Sequence, residues 1–308
     1  MHRKYRPKNW DEVIGNEEIV ESLKQIGLKS PVMFQGTYGS GKTTMALILA
    51  KEYGVTKENL DYFSCRVHSG VDYIREKLKG LENSSLFGKK KVIVLDETYG
   101  LSKPAMGALL TPLENLPDNV GVIACTSSIQ NMDEQFLSRW IRYTVRPLNN
   151  KQAKQLIDRV LQGENFSLSN NILKLLIIKG EGIPRRLLTT LPKLKGITDL
   201  NKAKYLIDVA ILEEQDPDAL DVFKLVLTKN WKGIKGQLKK SLKKKSVGSI
   251  RIGMMNIAAE RIMSDYMKPE EGVYLQSLYG RLKNAEGIPE KGNLIHAIYS
   301  TLVNSYKV

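Results

Sequence analysis

The stretch "MFQGTYGSGKTT", residues 33–44, decides the fold. A short apolar run breaks into a turn with three glycines, closes on a lysine and two threonines, and becomes helical with "MALILA". Gly36, Gly41, Lys42 and Thr43 fit G-x-x-x-x-G-K-[ST], a loop whose backbone N–H groups wrap the phosphates of a nucleotide. The phosphate cradle is therefore expected from Gly36, Thr37, Tyr38, Gly39, Ser40, Gly41, Lys42, Thr43 and Thr44. Strand before and helix after are what the mechanism needs, because the new helix adds its N-terminal dipole to the anion site. Lys42 reaches the β- and γ-phosphates, and the Thr43 hydroxyl ligates Mg²⁺. ATP and Mg²⁺ are the expected ligands.

The surrounding sequence supports that reading. Apolar runs "PVMF", "YFSC", "KVIVLDE" and "VGVIACT" alternate with helical patterns such as "EEIVESLKQIG" and "VDYIREKLKGL" over the first 150 residues. This alternation predicts a parallel sheet with helices on both faces, whose ligands sit beyond the carboxyl ends of the strands. The run "KVIVLDE" delivers Asp96 and Glu97 at such an end, where a buried carboxylate needs a partner. Asp96 finds one in Mg²⁺, and Glu97 is suited to orient and polarise an attacking water, which makes the protein a hydrolase. The alternative is two carboxylates capping the next helix. Thr126, at the end of "VGVIACT", offers a hydroxyl to the water or to the γ-phosphate. In "FLSRWIRYTV", Arg139 follows Ser138 where a helix gives way to a strand; it either pairs with a surface carboxylate or reaches a phosphate on a neighbouring subunit. "GEGIPRRLLTT" opens a helix at Pro184; at Arg185 and Arg186 a phosphate contact and a solvated arginine pair have the same spacing.

After "RPLNN" the strand signals fade, and helical patterns continue to the end. The expected domains are residues 1–147 (nucleotide binding), 148–200 (a small helical domain) and 201–308 (a further helical domain). "EEQDPDAL" is an acidic, proline-broken turn. The 308 residues suit two or three domains, and 42% hydrophobic with 26% charged residues is a globular, soluble balance rather than a disordered one. No apolar run suits a bilayer and no signal peptide is read, so a cytoplasmic protein without a membrane partner is expected (host cytoplasm if viral). Cys65 and Cys125 read as buried thiols of a reducing compartment. His2, His68 and His296 lack metal-ligand spacing. The formal charge of +14 points to a polyanionic partner, most often nucleic acid. Residues 229–251 hold nine lysines or arginines and no acidic residue. Trp231, Ile234, Leu238 and Leu242 recur there at helical spacing, with Lys232, Lys235, Lys239, Lys240, Lys243, Lys244 and Lys245 on the remainder. That face is either solvated or turned to DNA or an acidic neighbour.

In this order the motifs resemble the AAA+ ATPases, and within them the clamp-loader small subunits. "RKYRPKNWDEVIGNEEIVESL" is similar to the family's opening box, "SGVDYIREKLKG" to the segment after its second strand, "LSRW" to its S-R-C motif and "GIPRRLL" to its sensor 2 helix. The resemblance is dense from residue 3 to about 190. It implies a P-loop α/β domain followed by a helical lid and an all-α collar. It implies that Tyr5, Pro7, Ile14 and Gly15 wrap the adenine and that Thr126 is sensor 1. It further implies that Arg185 contacts the γ-phosphate in cis and that Arg139 is an arginine finger acting in trans. The partners implied are a sliding clamp, other loader subunits in a pentamer, and primer–template DNA held by its phosphate backbone, with Arg75 and Lys103 as candidate contacts. Three departures stand out. Trp140 replaces a cysteine, the zinc-binding insertion of the bacterial subunits is missing, and Thr111 and Pro112 stand where the family carries basic residues. The competing expectations are another replication or repair AAA+ ATPase, such as a branch-migration motor or fork-recombination factor, and a nucleotide-binding subunit without turnover. A helical C-terminal region without a winged-helix pattern argues against the first, and intact Lys42, Thr43, Glu97 and Arg139 argue against the second.

Overall fold

The structure is a computed structural model that describes residues 1–85, 90–215, 217–243, 246–262, 269–284 and 290–304. Five strands form one sheet: β1 (Val32–Gln35), β2 (Leu60–Ser64), β3 (Lys91–Asp96), β4 (Val120–Thr126) and β5 (Ile141–Thr144). Their order is β2-β3-β4-β1-β5 and every pair is parallel. The helices around them are α1 (Glu17–Ile26), α2 (Lys42–Glu52), α3 (Val71–Ser85), α4 (Lys103–Glu114), α5 (Glu134–Leu137) and α6 (Asn150–Glu164).

Strand side chains alternate between two cores. Met33, Ile93, Leu95, Val122 and Ala124 pack with Ile74 of α3, Leu109 of α4 and Phe136 of α5. Val32, Phe34, Val92, Val94, Ile123 and Cys125 pack on the other face with Leu23 of α1 and Ile48 and Leu49 of α2. Helices on both faces explain why these strands read as continuous apolar runs, since both sides of each pleat are buried. β4, the middle strand, is buried at every position.

Beyond the sheet the described residues are helical: α7 (Asn170–Gly180), α8 (Pro184–Thr190), α9 (Leu200–Gln215), α10 (Pro217–Leu227), α11 (Trp231–Ser241), α12 (Val247–Ile262), α13 (Pro269–Lys283) and α14 (Glu290–Asn304). The turn read in "EEQDPDAL" falls between α9 and α10; Asp216 lies outside the described residues. The chain forms two compact units. One comprises residues 1–165 and 180–188 and holds the sheet; the other comprises residues 166–179 and 189–308. The second unit has its own core at helical spacing, with Val222 and Val226 of α10, Ile250 and Met254 of α12, Leu275 and Leu278 of α13, and Leu294 and Ile298 of α14. No helix among the described residues is long and apolar enough to cross a membrane.

Candidate functional site: a phosphate loop at the carboxyl edge of the sheet

Strand register brings the sequence motifs together. Gln35 lies beside Thr126, and Ser64 lies beside Asp96. The phosphate loop, the Asp96–Glu97 pair and Thr126 therefore leave one edge of the sheet side by side. A cleft of about 350 Å³ opens there within the sheet-bearing unit. Tyr5, Pro7 and Ile14 line one part of it and residues 38–45, Asp96, Glu97, Thr126 and Arg185 the rest.

The loop follows from its glycines. Gly39 and Gly41 adopt φ of 80° and 108°, a region costly for residues with a Cβ. At Gly36 a Cβ would stand 2.4 Å from the Val145 carbonyl oxygen, so only glycine lets the loop pass β5. Gly15, at φ 76°, holds the turn beside Ile14; a Cβ there would come within 3.0 Å of the Leu148 side chain and 3.1 Å of Gln152 Oε1, a tight fit against side chains rather than a clash with backbone. Lys42 begins α2, is buried, and donates from Nζ to the Gly36 and Thr37 carbonyls at 2.8 Å each. Burial pushes its ammonium below the ordinary lysine value, against the pull of nearby Asp96 and Glu97. The buried Ser40 hydroxyl has no hydrogen-bond partner among the described residues, a cost that an anion in the loop would remove.

Asp96 is fixed on both oxygens. Thr43 Oγ1 donates to Oδ2 at 3.0 Å, Tyr62 Oη donates to the same oxygen at 2.6 Å, and the Glu97 N–H donates to Oδ1 at 3.0 Å. A carboxylate and a hydroxyl at this spacing are hard oxygen donors, the set that suits Mg²⁺. Glu97 sits in left-handed backbone, φ 55°, a strained conformation for a residue with a side chain. Its carboxylate accepts from Ser64 Oγ at 2.9 Å and has Arg66 Nη1 at 3.9 Å. Thr126 is fully buried and turned back on its own loop, donating to the Ser128 carbonyl at 2.6 Å.

Arg185 follows Pro184, the first residue of α8, and its N–H donates to the Gly39 carbonyl at 3.3 Å. Its guanidinium stacks 4.4 Å from the centre of the Tyr38 ring, which couples it to the phosphate loop. Arg186, by contrast, is buried and paired with Glu181 at 2.6 Å. Tyr5 hydrogen-bonds Glu164 at 3.0 Å. Arg139 does not line the cleft. It lies just past α5, forms an ion pair with Glu114 and donates to Ser138 Oγ at 3.1 Å. Trp140 beside it is buried edge-on to Phe136, which anchors the segment that presents the arginine.

Tyr62 and Ser64 are site residues that the motifs do not reveal. They stand two apart on β2, so their side chains share a face, and their partners lie more than 30 residues away. The available signal is polar residues at alternating positions near the end of a strand next to the one ending in Asp96.

The fold and this cleft define a P-loop ATPase of the AAA+ class. Residues 32–148 match the family described as "ATPase family associated with various cellular activities (AAA)". Replication factor C subunit 3 of Saccharomyces cerevisiae is 29% identical, over 74% of this chain and 70% of the relative. Replication factor C small subunit 2 of Pyrobaculum arsenaticum is 30% identical, over 70% and 71% of the two chains. The small subunit 2 of Pyrobaculum aerophilum is 26% identical over 93% of both. Among solved structures, the Holliday junction branch migration motor RuvB of Thermotoga maritima superposes with a TM-score of 0.55, at 19% identity, over 72% of this chain and 79% of that one, a likeness of fold. The chain belongs to the clamp-loader small subunits of the AAA+ ATPases, the replication factor C family.

Proposed function

We propose that the protein is the ATP-hydrolysing subunit of a DNA polymerase clamp loader, which uses ATP to open a sliding clamp and set it on primer–template DNA. The observation that carries this is the convergence of the phosphate loop, Asp96, Glu97 and Arg185 on one cleft, in a chain akin to replication factor C small subunits over nearly its whole length. In this reading the N–H groups of residues 36–44 and the Lys42 ammonium hold the phosphates. Tyr5, Pro7, Ile14 and Gly15 hold the adenine. Thr43 and Asp96 hold a magnesium ion, which when bound neutralises charge on the β- and γ-phosphate oxygens. Glu97 takes the proton of the attacking water, and its carboxylate must leave Ser64 or share it to do so. Thr126 orients that water once its hydroxyl turns from the Ser128 carbonyl, and Arg185 contacts the γ-phosphate from the same chain.

Positive charge on the γ-phosphoryl oxygens in the transition state is still needed, and Arg139 stands outside its own cleft. We assign it to the neighbouring subunit's nucleotide, so the active site is completed at an interface within a pentamer. The Glu114 ion pair holds the guanidinium until that contact forms. DNA is held through its phosphates, with Arg75 in α3 and Lys103 at the start of α4 as contacts. The domains in this reading are residues 1–147, 148–200 and 201–308, and the protein works where replication proceeds. The test is the steady-state ATPase rate with and without primed DNA and a sliding clamp. Strong stimulation by both together is expected. A rate indifferent to the clamp, or stimulated by four-way junctions instead, would contradict clamp loading.

A further inference from the structure

The basic run of residues 229–251 is not used by the nucleotide site. It contains α11, which carries one side of a groove of about 380 Å³ in the helical unit; Ile295 and Lys291 of α14 stand on the other side. Lys244 and Lys245 lie outside the described residues. Trp231, Leu238 and Leu242 complete the apolar floor with Ile295. Lys235, Lys239, Lys243 and Lys291 form the rim, and no acidic residue is among the described lining.

Two features separate this groove from an ordinary solvated helix. First, the core takes Ile234 and Leu238, but Trp231 and Leu242 stay partly open and Ile295 is 41% exposed. Apolar surface thus runs past what the core covers. Second, none of the four rim lysines forms an ion pair with a described residue. In the same unit Lys179, Lys193 and Lys224 each pair with a carboxylate. Four ammonium groups with no carboxylate partner among the described residues, set around an apolar floor, call for a ligand with carboxylates flanking apolar side chains.

Nucleic acid fits less well. A duplex backbone would set its phosphates over the apolar floor. A single strand would need a free aromatic face, and the Trp231 ring is met by Tyr299 at 5.0 Å and by the Lys235 ammonium at 5.9 Å. At this groove a second copy would have to set carboxylates against four lysines from a chain of formal charge +14, which favours a separate acidic chain here and does not bear on subunit contacts elsewhere. We propose that the groove between α11 and α14 is a docking site for an acidic amphipathic segment of a different protein chain. Its apolar side chains lie on Trp231, Leu242 and Ile295, and its carboxylates meet Lys235, Lys239, Lys243 and Lys291, as in helix-in-groove recognition.

The test is fluorescence anisotropy on the full chain with a labelled synthetic helical peptide of leucine and glutamate at i, i+3, i+4 spacing. A control peptide keeps every glutamate and replaces leucine by serine. Binding of the first and at least about tenfold weaker binding of the second are expected, because the floor and not charge alone must contribute. Lys239→Glu with Lys291→Glu should weaken the first peptide by about tenfold or more, while Lys232→Glu, outside the groove, leaves it unchanged. ATP hydrolysis should be unaltered in both variants. If the double variant fails to fold, Ile295→Ser carries the same test through the floor. No binding, equal binding of both peptides, or displacement by duplex or single-stranded DNA would overturn the proposal. A change of oligomeric state in Ile295→Ser by light scattering would also overturn it, by assigning the groove to a second copy.

Discussion

Tyr62 Oη and Thr43 Oγ1 both donate to Oδ2 of Asp96, at 2.6 and 3.0 Å, so a strand and a helix from opposite sides of the site fix one carboxylate oxygen. Partial burial and the Asp96 bond push the half-exposed Tyr62 phenol up, so it stays a donor throughout the working pH range. Tyr62→Phe keeps the ring and removes the bond. Nucleotide affinity without Mg²⁺ should be unchanged, and the gain on adding Mg²⁺ should fall by roughly fivefold, the worth of one such hydrogen bond. Titration of a fluorescent ATP analogue with and without Mg²⁺ checks this.

Lys42 gives a pH dependence of definite sign. Its ammonium is pushed below the ordinary lysine value chiefly by burial. The phosphates need the charged form, so ATP affinity should fall as pH rises through that lowered folded value, before the ordinary lysine range near about 10.4 is reached. The unfolded chain holds this proton more tightly than the folded one. Lys42 therefore costs stability below its folded pKa, and the cost is relieved as pH climbs toward the unfolded value. Lys42→Ala should weaken nucleotide binding below that folded value, converge with the native chain above it, and so remove this alkaline limb.

The thiols behave oppositely. Burial pushes Cys65 up to about 12 and Cys125 well above its ordinary value. Because these folded values are raised, their stabilising contribution is complete below the unfolded thiol value near 9.0 and is lost as pH rises toward the folded one. At pH 8 the native protein should not react with a thiol reagent on the timescale of minutes, and two groups should react in urea. Rapid labelling of the native state would contradict the burial of either cysteine.

The phosphate loop, β1 to β4 and the carboxylate pair were legible because local signals agree there. Glycines that only a turn needs, an apolar strand and a helix start lie within a dozen residues. Tyr62 and Ser64 were not legible, since their roles arise from β2 lying against β3, a pairing no local pattern encodes. The ion pair of Arg139 with Glu114 joins two helix ends 25 residues apart for the same reason. In the helical unit, α13 carries Gly272 and Gly280 within its span, which weakens its helical pattern, yet Leu275, Leu278 and Leu282 bury it in the core.

DNA binding should depend on ATP and fall steeply with salt, because phosphate contacts release counterions. At constant salt it should differ little between duplexes of unrelated sequence. A gel-shift or anisotropy series in which one sequence is strongly preferred would contradict backbone recognition.

The division of labour between Glu97 and Arg139 is tested most directly by mixing two inactive variants. Glu97→Gln should bind ATP nearly as well as the native chain and not turn it over. Arg139→Ala should lose roughly 10³–10⁵ in rate if the arginine stabilises the transferring phosphoryl group. In a mixture, interfaces form that pair an intact Glu97 on one chain with an intact Arg139 on its neighbour. ATPase activity of the mixture should therefore rise above both parents, under conditions where light scattering shows mixed assemblies. A mixture as inactive as either parent in such assemblies would contradict catalysis in trans and leave Arg139 as the surface partner of Glu114.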